Sequence, residues 1–490
     1  MHLSEICAPC AENITVGVNP PITGITADSR AVGPGFLFAA LPGSEHDGRD
    51  YIPDAAARGA AAILAPEGTV LPPDAAHLPL IAVTDPRHSL AVFAARFFGK
   101  QPEIAAAVTG TNGKTSVAWF TRRLWSALGH KAAAIGTLGV DLPEAALSSS
   151  GGLTTADPVT LHKTLRELAD AGIRCVIVEA SSHGLDQCRL DGLRLRAGAF
   201  TNLSRDHLDY HRDMEAYRLA KRRLFDRLMP EGAAAVLNAD TDEFADWSSI
   251  ARKRGLQVIS YGRACADLKL IDTQPHGAGQ LLTVRLMDKQ YDIAVPIAGT
   301  FQAENILCAI GLVIACGGGA DQAAAATSGL TAPPGRLELT GTLANGAAVY
   351  VDYAHTPDAL STVLTALRPH AQGKLNVLFG CGGDRDRGKR PEMGAIADRL
   401  ADGIIVSDDN PRGENPASIR AEIMAASPRA EEIGDRAEAI AVAVGRLGPG
   451  DVLLIAGKGH ESGQIVGNTI LPFDDREVAR QALGNMGGAA

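Results

Sequence analysis

Three clusters of residues in this chain have types and spacings suited to chemistry. The first is Thr109-Gly-Thr-Asn-Gly-Lys-Thr115, which follows the apolar run IAAAV and precedes a segment that reads as a helix from near Ser116. A strand, a glycine turn, Lys-Thr and a helix in that order form a phosphate loop. Backbone N–H groups of Gly110, Thr111, Asn112 and Gly113 and the helix start at Ser116 face the phosphates. Lys114 reaches the β- and γ-phosphates, and the Thr115 hydroxyl binds Mg²⁺. The strict G-x-x-x-x-G-K-[ST] spacing is not met, because Val108 stands where its first glycine belongs. The bland alternative is an ordinary βα turn.

The second cluster begins with Glu179, the last residue of the apolar run CVIVE. A carboxylate at the tip of a buried strand beside a phosphate loop fits a Mg²⁺-positioning acid; it equally fits a cap on the next turn. Farther along, Asp206, His207, Asp209 and His211 crowd one loop, and EAYRLAKRRLF reads as a helix with Lys221 in its middle. Taken alone, a lysine there faces solvent.

The third cluster follows the strands KLNVLFG and IIVSD. Gly380 to Arg390 resembles a dinucleotide fingerprint, but Arg385 occupies a position that needs a small residue, so no nicotinamide or flavin site is expected. An arginine-rich loop suits an anion better. Asp409-Asn-Pro-Arg412 is, by itself, an Asn-Pro turn with a surface arginine.

These clusters sit after apolar strands that alternate with helical stretches, the pattern of parallel α/β sheets whose ligands lie beyond the strands' carboxyl ends. Strands and helices divide into three regions, residues 1–103, 104–335 and 336–490. The length of 490 residues also predicts about three domains. With 46% hydrophobic residues the chain can build several cores. A net charge of −10 and 4% aromatic residues argue against nucleic-acid and membrane-surface binding. The eight cysteines are sparse and read as reduced, with Cys7 and Cys10 a lone CxxC. The N-terminus has no signal-peptide pattern, and the longest apolar stretch, Ile306 to Cys316, is too short to cross a bilayer. A cytoplasmic location follows.

The segments TGTNGKT, EASSHGL, TNLSRDHLDYH and AYRLAKRRLF occur in order with GTFQAENILCA, PPGRLE, DYAHTPD, GCGGDRDRGKRP, DNPR and AGKGHE. Together they resemble the Mur ligases, ATP-dependent amide-forming enzymes of peptidoglycan precursor synthesis, over essentially the whole chain. The resemblance implies a central P-loop parallel-sheet ATPase domain (104–335). An N-terminal α/β substrate domain (1–103) and a C-terminal Rossmann-like α/β domain (336–490) flank it.

For the nucleotide-sugar peptide it implies contacts from Ala27, Ser29, Ser44, Glu45 and His46 at the uridine end. Thr154, Thr155, Ser181, Gln187 and Arg189 would contact the muramoyl peptide. It revises Lys221: the matching lysine is carbamylated by CO₂ and, with Thr115, Glu179 and His207, surrounds Mg²⁺, so Lys114, Glu179, His207 and Lys221 carry the catalysis. Asn305, Arg336, Asp352 and His355 match positions around ATP.

Arg385, Asp409, Asn410, Pro411, Arg412, Gly457 and Glu461 match the amino-acid site. In diaminopimelate-adding members the arginine of DNPR grips the distal carboxylate of meso-diaminopimelate, a group lysine lacks. The implied reaction passes through an acyl phosphate on the D-glutamyl side chain of UDP-N-acetylmuramoyl-L-alanyl-D-glutamate. Expected partners are these small molecules, with the chain a monomer. A folylpolyglutamate synthetase is disfavoured by the substrate region ahead of the phosphate loop. A nucleotide switch has little use for both the Lys221 helix and DNPR.

Overall fold

The computed structural model describes residues 1–8, 19–43, 46–142, 153–207, 210–264 and 267–488. Ser44 and Glu45 from the expected uridine end lie outside them, as do Asp209, Cys10 and Cys265. The chain forms two compact units. One is Met1–Ser260 with Gly311–Gly318, and the other is Tyr261–Ile310 with Gly319–Ala490.

The first unit holds two sheets. Strands β1 (Gly24–Thr26), β2 (Phe36–Ala39), β3 (Ala62–Pro66) and β4 (Leu80–Val83) pair in that order, all parallel. Leu37, Leu64 and Ile81 meet Leu90 and Phe93 of the helix Pro86–Phe98 in one core. Asp85 starts that helix by accepting the N–H of His88, with Pro86 at its first position, where no N–H is needed.

The larger sheet comprises β5 (Ile104–Thr109), β6 (Ala132–Gly136), β7 (Gly139–Asp141), β8 (Cys175–Glu179), β9 (Leu195–Phe200), β10 (Ala234–Asn238) and β11 (Gln257–Gly262). Their order is β11-β10-β9-β5-β8-β6-β7, parallel from β10 to β6, with β7 an antiparallel edge. Every residue of β5 and β8 is buried, as expected of parallel strands covered on both faces. Leu161, Leu165 and Leu168 of the helix Pro158–Asp170 pack into the same core as Phe200, Phe225 and Trp247. β5 lies between β8 and β9, so the chain winds away from it in both directions. The crevice at such a switch is where an α/β sheet binds ligand.

The second unit opens with an antiparallel meander, β12 (Leu268–His276), β13 (Gly279–Leu286) and β14 (Lys289–Val295). Leu268, Leu270, Leu282, Val284, Leu286, Ile293 and Val295 point inward at a period of two. This meander interrupts the strand–helix alternation expected through residue 335.

Farther on come β15 (Glu338–Thr342), β16 (Ala348–Asp352), β17 (Leu375–Phe379), β18 (Gly403–Val406), β19 (Glu431–Glu432) and β20 (Val452–Ala456), then the hairpin of β21 (Gly463–Val466) and β22 (Thr469–Pro472). The sheet order is β15-β16-β20-β17-β18-β19, parallel from β16 to β19. The segments DYAH, GCGGDRD, SDDNPR and GKGHE therefore leave the carboxyl ends of β16, β17, β18 and β20. Among the described residues no helix is long and apolar enough to cross a membrane.

Candidate active site

In the first unit the phosphate loop forms where the sequence places it. Gly110 (φ 149°) and Gly113 (φ 86°) take backbone conformations closed to most side chains, and the helix Lys114–Ala127 starts at Lys114, with Ser116 buried in its first turn. A Cβ on Gly110 would also fall 1.8 Å from Thr201 Oγ1. The end of β9 clamps the loop. Thr111 N donates to Asn202 O (2.8 Å), Asn112 N to Asn202 Oδ1 (2.9 Å), and Thr201 Oγ1 to Asn112 O (2.6 Å). Lys114 Nζ folds back to Gly110 O (2.9 Å) and Thr111 O (2.8 Å).

Glu179 is buried at the tip of β8, and Thr115 Oγ1 donates to its Oε2 at 3.0 Å. Thr137, just past β6, adds its N–H to Oε1 (2.9 Å) and its hydroxyl to Oε2 (3.1 Å). Gly136 leaves room for the carboxylate, since a Cβ there would lie 2.1 Å from Oε1. Among the described residues no three His, Cys, Asp or Glu side chains converge into a metal cage. Thr115 and Glu179 instead offer two hard oxygens side by side. That set fits Mg²⁺ completing its shell with phosphate oxygens and water.

Lys221 is wholly buried (1% exposed) in the helix Met214–Arg223, not solvent-facing. Its Nζ donates to Gly110 O at 2.8 Å and sits 4.3 Å from the centre of the Tyr217 ring. Burial drives its pKa well below the ordinary lysine value; the Lys114 charge lowers it further, while Asp206 pulls the other way. Among the described residues no carboxylate pairs with it. Tyr217 also shares a hydrogen bond with Thr111 Oγ1 (3.1 Å), and its ring meets His207 at 6.1 Å. His207 adopts φ 53° and packs edge-on against His183 at 5.0 Å. Lys114, Glu179, Lys221 and, through Tyr217, His207 thus gather around the loop.

The expected peptide-contact residues form a connected wall beside Glu179. Thr154 Oγ1 lies 3.1 Å from Thr137 Oγ1, and Thr155 Oγ1 donates to Glu179 O (2.8 Å) and lies 2.9 Å from Ser181 Oγ. Arg189 donates to Thr155 O (2.6 Å) and, through Nη2, to Gln187 Oε1 (2.8 Å). In the small sheet's loops Ala27 is exposed and Ser29 buried after β1, and His46 O accepts from Gly43 N (3.0 Å).

Asn305, Arg336, Asp352 and His355 lie in the second unit. Asn305 donates to Gln302 Oε1 (3.0 Å), and the Arg336 guanidinium stacks 4.5 Å from the Tyr353 ring. His355 Nδ1 is 2.9 Å from Tyr353 O. Asp352 accepts from Leu337 N (2.6 Å) and Ala354 N (2.7 Å), and burial raises its pKa to about 6. At the neighbouring strand ends the residues expected to receive the amino acid assemble. Arg412 (φ 50°) donates to Gly383 O (2.9 Å), and Pro411 O presses on Gly383. A Cβ on Gly382 would sit 2.7 Å from Arg412 Nη1 and 3.9 Å from Arg385 Cγ, so both arginines flank that glycine. Gly457 (φ 116°) lets β20 pass Asp409, whose Oδ2 would be 2.7 Å from a Cβ. Asn410 Nδ2 donates to Glu461 Oε2 at 2.9 Å.

Residues 21–98 match the Mur ligase family catalytic domain, 108–313 the Mur ligase middle domain, and 335–459 the Mur ligase glutamate ligase domain. The UDP-N-acetylmuramoyl-L-alanyl-D-glutamate–2,6-diaminopimelate ligase of Caulobacter vibrioides is 52% identical over 476 residues, 96% of this chain and 97% of the relative. The protein of the same name from Rhizobium meliloti is 54% identical over 465 residues, 95% of each. The chain belongs to the Mur ligase family. A solved Mur ligase structure, again of a UDP-N-acetylmuramoyl-L-alanyl-D-glutamate–2,6-diaminopimelate ligase, superposes with a TM-score of 0.72 at 32% identity. That match covers 95% of this chain and 96% of the other.

Within this Mur ligase, sequence reasoning missed Thr137, Asn202 and Tyr217. The first two sit just past strand ends, where polar side chains commonly meet ligand loops. Tyr217 precedes Lys221 by four residues on one helix, the spacing at which side chains touch.

Proposed function

We propose that the chain joins meso-diaminopimelate to the D-glutamyl side chain of UDP-N-acetylmuramoyl-L-alanyl-D-glutamate, at the expense of ATP, in peptidoglycan precursor synthesis. Identity of 52% along essentially the full length to a ligase of that name carries this conclusion.

In the first step the γ-carboxylate attacks the γ-phosphorus of ATP, and ADP leaves. In the second the amine attacks the acyl carbon, loses a proton, and phosphate departs. Lys114 balances charge on the transferring phosphoryl group. Mg²⁺, held by Thr115 and Glu179 with His207 and Lys221 nearby, would supply further positive charge there.

Lys221 acts as a carbamate: its neutral amine adds CO₂ and releases a proton, leaving an anionic side chain. The depressed pKa and the shared Gly110 carbonyl support this, because an ammonium beside Lys114 is unfavourable while a carbamate is not. Ser181, Gln187 and Arg189 hold the peptide. Asn305, Arg336, Asp352 and His355 hold ATP, and Arg385 and Arg412 grip the distal carboxylate of diaminopimelate beside Glu461. Residues 1–103, 104–335 and 336–490 serve nucleotide-sugar, ATP and amino acid in turn, in a cytoplasmic monomer.

Phosphate release in the presence of ATP, Mg²⁺, the nucleotide dipeptide and a single amine tests this. Release should require both the nucleotide dipeptide and meso-diaminopimelate. Equal rates with L-lysine would refute the specificity assignment, and release without amine would make the chain an ATPase.

A further inference from the structure

Lys458, in the loop leaving β20, is fully buried. Its three ammonium hydrogens are matched by three acceptors: Asn410 Oδ1 (3.1 Å), Glu461 Oε2 (3.1 Å) and Gly463 O (2.7 Å). A buried ammonium is costly unless paired in this way, so its presence calls for a reason.

Both side chains it touches belong to the amino-acid pocket. Asn410 Oδ1 also accepts from Ile465 N (2.9 Å). With two donors on that oxygen, the amide has one orientation, and its NH₂ points at Glu461. Glu461 Oε2 therefore receives both Lys458 and Asn410. Among the described residues Oε1 takes no hydrogen bond, and the side chain stays 33% exposed. The charge matters as well. An uncompensated Glu461 would favour lysine, a cation with one carboxylate, over diaminopimelate, a zwitterion with two, whereas the Lys458–Glu461 pair is neutral overall and still presents one anionic oxygen outward.

We propose that Lys458 is a positioning residue for the incoming amino acid: it fixes the Asn410 amide and one oxygen of Glu461, and cancels the charge that would disfavour a dicarboxylate. This rests on diaminopimelate binding at Arg412 and Glu461, as argued above.

The test is initial-rate kinetics of the full chain, varying each substrate in turn, for wild type, Lys458→Met and Arg412→Ala. In Lys458→Met the KM for diaminopimelate should rise about 30-fold or more, as when a buried charge loses its partner. The KM values for ATP and nucleotide dipeptide should not move. The preference for diaminopimelate over L-lysine should narrow, because the exposed glutamate charge now favours the amine with one carboxylate fewer. Adding Lys458→Met to Glu461→Gln should cost little more than Glu461→Gln alone, because both act through one group.

A rise in Arg412→Ala with none in Lys458→Met overturns the role of Lys458 and leaves the binding place intact. No rise in either variant overturns the binding place. A fall in kcat with all three KM values unchanged, or additive single effects, also overturns the role of Lys458. Should a thermal melt show that Lys458→Met does not fold, Lys458→Gln, which keeps one donor, must give the same split among the three KM values.

Discussion

Two ammonium groups, those of Lys114 and Lys221, donate to the single carbonyl oxygen of Gly110. Like charges this close repel, and among the described residues no carboxylate forms an ion pair with the buried one, Asp206 offsetting its charge only from farther away. Replacing Lys221 with alanine removes the proposed carbamate site, and turnover should fall by about two to three orders of magnitude, as when a preorganised charge at a transferring group is lost. A short added carboxylate should restore part of it. Near-normal phosphate release by Lys221→Ala would sink the carbamate assignment. The loop residues, Glu179 and the strand-end motifs were legible in the sequence because each is a local pattern. Lys221 was not: its helix carries Lys-Arg-Arg, which reads as a solvated face, and only tertiary packing against the phosphate loop buries it. The Asn202 clamp is equally a contact between distant segments.

Strand ends hold the site's side chains by close approach. Gly136, the last residue of β6, lies against Glu179, and Gly136→Ala should displace that carboxylate while β6 itself persists. The expected result is a melting temperature near wild type with activity lowered on the order of 100-fold, the scale of one lost transition-state contact. An unchanged rate would show that Glu179 tolerates the shift.

In the second unit Glu414 ties the loop after β17 to the loop after β18. It accepts from Arg390 Nη2 (2.8 Å), Asp384 N (2.6 Å) and Arg387 (2.8 Å). These donors, Arg390 foremost, hold its carboxyl down at about 2 against an ordinary 4.5. A depressed carboxylate stabilises the fold above pH 4.5 and loses that contribution as the pH falls from 4.5 toward 2. Thermal melts across that window should show a shallower acid loss for Glu414→Gln than for wild type. The strands themselves were readable from their apolar runs. The β12–β14 meander was not, because inward and outward alternation on one face means little until the partner strands are known.

At the scale of the molecule, a net charge of −10 coexists with proposed substrates that each carry phosphate or carboxylate groups. Binding therefore depends on local Lys and Arg and on backbone N–H groups at the carboxyl ends of strands, not on the overall field. The order of the second unit's sheet adds a different consequence. β20, near the end of the chain, inserts between β16 and β17, pairing Val452 with both Ala348 and Leu375. As the chain emerges during synthesis, β16 (ending at Asp352) and β17 (ending at Phe379) are both complete well before β20 begins at Val452, and their facing edges wait unpaired. Such long-range closure folds slowly and exposes strand edges to aggregation. A chain stopped at residue 451 should lack the whole second unit's cooperative melt, not a fraction of it, and collect as insoluble material. The residues expected to receive the amino acid at Gly457 and Glu461 are thus made after every strand of the first unit, so their loop takes shape only once nearly all of the chain has been synthesised.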